Sequence, residues 1–267
     1  MVSFSELKSE ASRAKPIEPV LLGTNGYYKA PSFSLIIPVY NEADIVAENL
    51  RILDRFLERD EYELIICDDC SKDGTYDQLR AFAKCSKNPN VLLMRSDGRI
   101  GKGGTIKRAV REARGETVIV MDVDLSSDLR YVPEMIRQAR ISGGIVVGQR
   151  STSDRATHGP LRVILSLGYN TLARLLFQTG IKDHQCGFKA MNADVARKLV
   201  GKAKNDGYAF DTELIFLALR SNIPVRQVQI RWIDGRTRKS NLRWIRTGFT
   251  MMKDLINIRR NYALHSD

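Results

Sequence analysis

Several features that would place a chain quickly are missing from this one. No run in its 267 residues reaches the roughly 18 uncharged apolar positions of a membrane-spanning helix. The longest candidate, Pro160 to Ile181, is interrupted by Arg162 and Arg174. The amino terminus, MVSFSELKSEASRAKP, has no apolar core of the kind a secretory signal carries, so the expected location is the cytosol. Histidine is scarce (His158, His184, His265), and there are four cysteines, Cys67, Cys70, Cys85 and Cys186. Cys67 and Cys70 form a C-x-x-C, but no second pair or His-x-x-x-His completes a zinc site, and structural thiols are expected. Gly101-Lys102-Gly103-Gly104-Thr105 fails the Walker pattern, because Gly103 stands where Ser or Thr must follow the lysine. It also fails G-x-G-x-x-G, because Ile106 stands at the last glycine, so neither an ATPase nor a dinucleotide oxidoreductase is supported. These glycines read as a flexible turn leading into a helix over Thr105–Ala113. With 8 prolines, 19 glycines and 43% hydrophobic residues the chain is globular, neither disordered nor collagen-like. Acids are in deficit: 31 against 42 Lys and Arg leave a formal charge of +11, which points to an anionic partner.

Residues 1 to 31 are polar, with Pro16, Pro19, Gly23, Gly26 and Pro31, and read as an N-terminal extension with a short helix near Phe4–Ala14. From Ser34 short apolar runs alternate with helical periodicity, which predicts a mostly parallel α/β sheet. The expected strands are Ser34–Val39, Leu64–Cys67, Val91–Met94, Thr117–Met121 and Ile145–Val147. Val46, Leu50, Leu53 and Leu57 fall at helical spacing, as do Val132, Met135, Ile136 and Ala139. Asp73 stands where an N-cap is wanted before a helix over Tyr76–Ala83.

In open α/β sheets ligands bind beyond the carboxyl ends of the strands. Four of the five turns that follow these strands carry carboxylates, which favours a site over scattered surface acids. Asp122-Val123-Asp124 is the most informative. Two carboxylates at i and i+2 at a strand end point to one side and can converge on a hard cation. Mg²⁺ or Mn²⁺ suits such a site, because each takes few protein oxygens and completes its shell with phosphate and water.

Taken in order, PVYNE (38–42), DDCSKDGT (68–75), GKGG (101–104), DVDL (122–125), GQR (148–150), DHQCGFKAM (183–191) and FDTELI (210–215) resemble an inverting family 2 glycosyltransferase with a GT-A fold. The resemblance spans about Ser34 to Ser240. It is narrowest to the dolichol-phosphate mannose synthase and dolichyl-phosphate β-glucosyltransferase branch. It implies one catalytic domain over 32–240, an extension over 1–31 and a basic amphipathic helix over 241–267. It implies that Pro38, Tyr40 and Glu42 frame the nucleotide, that Asp69 rather than Asp68 contacts the base, and that Lys102 belongs to the nucleotide site. Asp122 and Asp124 would hold the metal. Ser126 stands where mannose synthases of this type often carry Gln, which leaves a third protein ligand open. Arg150, Arg162 and Ser166 would hold a lipid phosphate, with Arg162 and Ser166 one helical turn apart on one face. Arg236 or Arg238, before Ser240, adds to phosphate binding, and Gln185 and Lys189 flank the site. Asp211 and Glu213 either orient sugar hydroxyls or cap the helix over Thr212–Leu219.

The implied reaction is attack by an acceptor phosphate oxygen on the anomeric carbon of a nucleotide sugar, UDP-glucose or GDP-mannose. A phosphate monoester is already anionic near neutral pH, its second pKa being about 6, and needs no strong general base. The catalytic set is then Asp122, Asp124, Arg150 and Arg162, acting on charge. Residues 220–267 hold eleven Lys and Arg against three acids. A helical projection gathers Trp244, Ile245, Gly248, Phe249, Met251, Met252, Leu255, Ile256 and Ile258 on one side. Such a helix suits an anionic membrane interface; packing on the sheet or on a second subunit is the plainer alternative. The expected protein is therefore peripheral on the cytosolic membrane face, with Pro160–Thr179 and the C-terminal helix side by side, and a homo-oligomer or membrane partner left open. A glycosyltransferase with a soluble hydroxyl acceptor would instead need a base such as Asp211. A nucleic-acid-binding module is the remaining reading of the charge, but the apolar strands lack the exposed aromatics of an RNA-binding sheet, so no nucleic acid is expected.

Overall fold

The computed structural model describes residues 20–21, 31–58, 60–151, 160–233 and 241–263. The helix expected near Phe4–Ala14, and Arg236, Arg238 and Ser240, lie outside them. The elements run β1 (Val20–Leu21), β2 (Phe33–Val39), α1 (Val46–Phe56), β3 (Tyr62–Asp68), α2 (Thr75–Cys85), β4 (Val91–Arg95), α3 (Gly101–Glu112), β5 (Thr117–Val120), α4 (Val132–Ser142), β6 (Ile145–Arg150), α5 (Pro160–Phe177), β7 (Lys189–Asn192), α6 (Ala193–Lys202), α7 (Phe210–Arg220), β8 (Val225–Ile230) and α8 (Asn241–Ala263). The described strands form one sheet in the order β1-β4-β3-β2-β5-β7-β6-β8. β2, β3, β4 and β5 run parallel, as do β6 and β8; β7 runs antiparallel between β5 and β6, and β1 antiparallel along β4. This is the expected mostly parallel α/β architecture, and all five expected strands are present. β1, β7 and β8 were not anticipated: the first lies in the expected extension, the second is four residues long, and the third, Val225–Ile230, is a largely half-buried strand at the sheet's other edge.

β3 is buried along its whole length and β2 at all but Pro38, as strands covered on both faces must be. Leu35, Ile36, Ile37, Leu64, Ile65 and Ile66 form the centre of the core with no solvent exposure. The helical spacing read in α1 and α4 is the buried face: Val46, Leu50 and Leu53 in α1, Val132, Met135 and Ala139 in α4. At the end of the sheet remote from the strand C-termini, buried Glu63 ties β2, β3 and β5 together. It accepts from Ser34 Oγ at 2.5 Å, Arg114 Nε at 3.0 Å, Gly115 N at 3.2 Å and Arg114 N. A buried carboxylate is tolerated there because its lone pairs are all engaged.

Three local expectations change. α2 starts at Thr75, one residue early, behind Gly74 in the left-handed region (φ 89°). Asp73 does not occupy the N-cap; its carboxylate accepts from Thr75 N (3.1 Å) and Thr75 Oγ1 (2.5 Å). The glycines at 101–104 are the first turn of α3, not a flexible turn before it. Tertiary contact outweighs glycine's poor helix propensity: Gly103 N and Gly104 N donate to Asp206 O (2.8 and 3.2 Å), and a Cβ on Gly103 would sit 2.7 Å from the Phe210 side chain. Asp122 and Asp124 are not strand residues. β5 ends at Val120, and Leu125 N bonds Asp122 O (3.3 Å) with Leu125 at φ 50°, so a turn rather than strand pleat sets the directions of both carboxylates.

Candidate active site

The C-terminal ends of β2 to β6 share one edge of the sheet, and the first two turns there are built by mutual hydrogen bonds. Asn41, at φ 52°, donates its N–H to Ser71 Oγ (2.9 Å), and its Oδ1 accepts from Lys72 N (2.9 Å). Glu42 N donates to Thr75 Oγ1 (2.8 Å), and Glu42 O accepts the first turn of α1. Tyr40 is half-buried, with the Arg99 guanidinium 4.0 Å from its ring centroid. Asp68 is fully buried, accepts from Ser71 N and pairs with Arg95 (3.3 Å), so it is a turn-forming residue. Asp69 grips the start of α3: Oδ1 accepts from Ile100 N (2.7 Å) and Oδ2 from Gly101 N (3.0 Å). This is a carboxylate at a helix N-terminus, where the unpaired N–H groups favour negative charge. Burial pushes the Asp69 carboxyl up, and these two N–H groups pull against it.

Beyond β5 an alternating row of charges crosses the edge. Lys102 Nζ lies 2.8 Å from Asp122 Oδ1 and 3.3 Å from Asp211 Oδ2. Lys189 Nζ lies 2.7 Å from Asp211 Oδ1 and also donates to Cys186 O. Desolvation works against charge on both members of the first pair. The ion pair outweighs it, raising the Lys102 pKa and lowering that of Asp122. Asp122 also depends on Gly187, because a Cβ there would fall 2.1 Å from Asp122 Oδ2. Asp124 Oδ1 accepts from Ser126 N (3.1 Å). The Ser126 hydroxyl is buried and has no hydrogen-bond partner, an orphan polar atom two residues past Asp124. Two turn carboxylates, one with 47% of its side chain exposed and paired with an ammonium, form a hard-oxygen donor set that fits a divalent cation. Among the described residues no group of three or more His, Cys, Asp or Glu could hold a metal, so such a cation would need oxygens from elsewhere.

Arg150 ends β6. Its Nε donates to Asp183 Oδ2 (2.7 Å) and one terminal nitrogen to Asp183 Oδ1 (2.9 Å), a bidentate pair with Asp183 wholly buried. The Trp232 ring centroid lies 5.4 Å from its guanidinium carbon. Burial opposes the charge on Arg150, but Asp183, with Asp122 at longer range, raises its pKa. α5 is tied to the same place. Asn170 Oδ1 accepts from His184 N (2.8 Å), next to Asp183, while Asn170 Nδ2 donates to Ser166 O (2.9 Å). Half-buried Ser166 thus sits one turn from the residue that anchors α5. Arg162 lies on α5, with its side chain outside the described residues.

Asp211 and Glu213, both in the first turn of α7, face different ways and do not act as a pair. Asp211 belongs to the charge row. Glu213 accepts from Lys204 N (3.0 Å), Asn205 N (2.8 Å) and Tyr262 Oη (2.9 Å), so it braces a loop and α8 and not a sugar. Gln185 is half-buried, its Nε2 3.7 Å from Met251 Sδ. Cys67 and Cys70 have separate partners, Met94 Sδ and Asp97 O, and burial pushes the Cys67 thiol up to about 12. Asp183, Gly187, Asn170 and Trp232 carry site geometry that sequence reasoning assigned to none of them. The motif DHQCGFKAM held the signal for two of these, since it placed Asp183 and Gly187 in the matched pattern.

Residues 34–200 match the family described as glycosyl transferase family 2. The chain belongs to that family. As a family 2 glycosyltransferase it is 33% identical over 248 residues to a dolichyl-phosphate beta-glucosyltransferase of Dictyostelium discoideum, covering 86% of this chain and 75% of that one. It is 32% identical over 206 residues to glycosyltransferase AglD of Haloferax volcanii, covering 74% of this chain and 32% of the longer archaeal protein. Its fold is shared with a glucosyl-3-phosphoglycerate synthase of Mycobacterium tuberculosis solved with Mn²⁺, UDP-glucose and phosphoglyceric acid, at TM-score 0.66, 14% identity and coverage of 88% and 85%. The mannosyltransferase PcManGT of Pyrobaculum calidifontis, solved with GDP-mannose and Mn²⁺, also shares it at TM-score 0.60 and 17% identity, covering 98% of this chain and 71% of that one. The GT-A fold expected from the motifs is thereby established.

Proposed function

We propose that this glycosyltransferase moves glucose, with inversion, from UDP-glucose to a dolichyl or other polyprenyl phosphate at the cytosolic membrane face. The observation that carries this reading is the Arg150–Asp183 pair. A guanidinium fixed on one edge by a buried carboxylate keeps N–H donors that Asp183 does not use, and these suit a phosphate. It stands on the same sheet edge as Lys102 and the carboxylates that would hold a metal for the donor diphosphate, so positive charge is available for two anions that repel each other. Relatives named dolichyl-phosphate beta-glucosyltransferase, from Dictyostelium discoideum and Trichomonas vaginalis, support the acceptor and favour glucose over mannose.

In this reading Tyr40, Glu42 and Pro38 frame the nucleoside. Asp69 holds α3 in place and keeps lone pairs that a base N–H can use. Lys102 supplies positive charge to the diphosphate. Asp122 and Asp124 would hold Mg²⁺ or Mn²⁺, which when bound supplies Lewis-acid neutralisation of leaving-group charge. Arg150, with Arg162 and Ser166 on α5, orients the acceptor phosphate, whose own oxygen anion is the nucleophile. Asp211 is poorly placed as a general base because two ammonium groups already hold both of its oxygens. That argues against a soluble hydroxyl acceptor.

Approach to the lipid falls to α5 and α8, which pack side by side: Gly168 faces Met252, and Gly248 faces Leu165, each at 3.8 Å from a built Cβ. α5 carries no acid and exposes Ile164, Leu167 and Leu175. α8 divides its apolar face differently from the sequence projection. Leu255 and Ile258 are buried in the core while Ile256 is exposed, so the C-terminal half of α8 docks on the protein. No helix among the described residues is long and apolar enough to cross a membrane. The test supplies Mn²⁺, dolichyl phosphate and labelled UDP-glucose, with GDP-mannose as a parallel arm. Transfer from UDP-glucose to the lipid phosphate is expected. Transfer only from GDP-mannose overturns the donor assignment, and no transfer to any lipid phosphate overturns the acceptor.

A further inference from the structure

Resting on that reading, we propose that Lys102 is a built-in counter-cation of Asp122, displaced from it when a divalent cation and the donor diphosphate bind together. Asp122 Oδ1 has the Lys102 ammonium at 2.8 Å, so the carboxylate a metal would use is already engaged by a cation. On its other side the carboxylate presses on Gly187, whose missing Cβ alone leaves room for it. The carboxylate is therefore held toward the lysine. A bare cation must separate a close ion pair before it gains the carboxylate, and it then faces an ammonium, held only by Asp211 among its two carboxylate partners, a few ångströms away. A metal–diphosphate complex does not meet this barrier, because its phosphate oxygens accept the ammonium as Asp122 gives it up. Lys102 need not travel far: Asp211 Oδ2, 3.3 Å away, keeps it at the edge, and Asp211 is itself fixed by buried Lys189.

The consequence is a binding order set by one side chain. The nucleotide-free protein binds divalent metal weakly. The nucleotide strengthens that binding beyond the contacts its own oxygens make, because it also takes the lysine. By reciprocity the metal strengthens nucleotide binding by the same factor. No sequence pattern signals this, because the three groups come from α3, the turn after β5 and α7.

The test is Mn²⁺ binding followed by electron paramagnetic resonance, with and without UDP, which needs no turnover. Lys102→Met is expected to tighten Mn²⁺ binding to the nucleotide-free protein by about tenfold, the size of a partly exposed ion pair. It should shrink the tightening that UDP confers by a similar factor. Lys102→Arg, which keeps the charge, should leave nucleotide-free binding within about twofold. If Lys102→Met does not fold by circular dichroism, Lys102→Gln carries the same expectation. Unchanged or weaker Mn²⁺ binding in the charge-removed variant overturns the proposal, and so does wild-type protein that binds Mn²⁺ equally with and without UDP. If the wild type binds no Mn²⁺ under either condition, the metal-dependent reading itself fails.

Discussion

The Arg150–Asp183 pair allows a prediction whose size follows from burial. Asp183 has no solvent exposure, and Arg150 keeps 15% of its side chain exposed. Both Asp183 oxygens are engaged, Oδ2 by Arg150 Nε and backbone N and Oδ1 by a terminal guanidinium nitrogen. Removing one partner leaves a buried charge uncompensated, which costs about 3–5 kcal/mol. Replacing both by apolar groups of similar volume costs far less, because no charge is left stranded. Asp183→Leu and Arg150→Met should therefore each lose about 3 kcal/mol in urea unfolding, with unchanged m. The double variant should lose less than the two together by at least about 2 kcal/mol. The stable double variant should still bind UDP, yet use the lipid phosphate poorly, with KM for the acceptor raised much more than KM for the donor. Additive losses would refute the claim of a tightly coupled buried pair, and normal acceptor KM in the double variant would refute the assignment of Arg150 to the acceptor.

Two further outcomes follow from single contacts. Buried His184, whose Nε2 meets Thr179 Oγ1 at 2.7 Å and whose Nδ1 meets Asn170 Oδ1, has its pKa pushed down to about 4, mainly by burial, with Lys189 and Arg174 adding to the fall and Asp183 opposing it. The unfolded state then binds the extra proton between about pH 6.5 and 4, so stability is full above pH 6.5 and falls through that window. The loss is on the order of 3 kcal/mol; His184→Gln should flatten this slope in urea melts at pH 7 and 4.5, and parallel slopes would sink the assignment. Gly187→Ala places a Cβ where Asp122 Oδ2 now lies and should lower the transfer rate by about 10²-fold, with the thermal midpoint little changed. A wild-type rate would show that Asp122 acts from another position.

Much of the frame was legible because the signals were redundant. Runs such as LIIPV and ELIIC can be little other than strands buried on both faces, and the periodic leucines of α1 fix its buried side. The acidic strand ends were legible because topology alone carries them to one edge. What escaped depends on partners far away in sequence. GKGG reads as a turn by propensity, and becomes helix only because Asp206 and Phe210 receive it and Asp69 holds its first N–H groups. Lys189–Asn192 is too short to announce a strand, and becomes one by filling the gap between β5 and β6. In α8, Leu255 and Ile256 are adjacent in the sequence and alike in hydropathy. One lies in the core and the other at the surface, and the packing of α8 against α5 and the core decides which.

The net charge of +11 was the plainest signal of all, yet it marks the site least directly. Lys102, Lys189 and Arg150, the cations at the reaction edge, all pair with Asp122, Asp211 or Asp183. The carboxylates keep the cations tolerable in a partly desolvated edge before any anion arrives, and an arriving phosphate must compete with them. Selectivity therefore comes from which cation can be released. In the proposed reading Arg150 keeps Asp183 and offers the donors that Asp183 leaves unused, whereas Lys102 exchanges Asp122 for a diphosphate. The rest of the positive surplus lies elsewhere, and in the proposed reading exposed Lys253, Arg259 and Arg260 on α8, beside the acid-free α5, are where an anionic surface would find it.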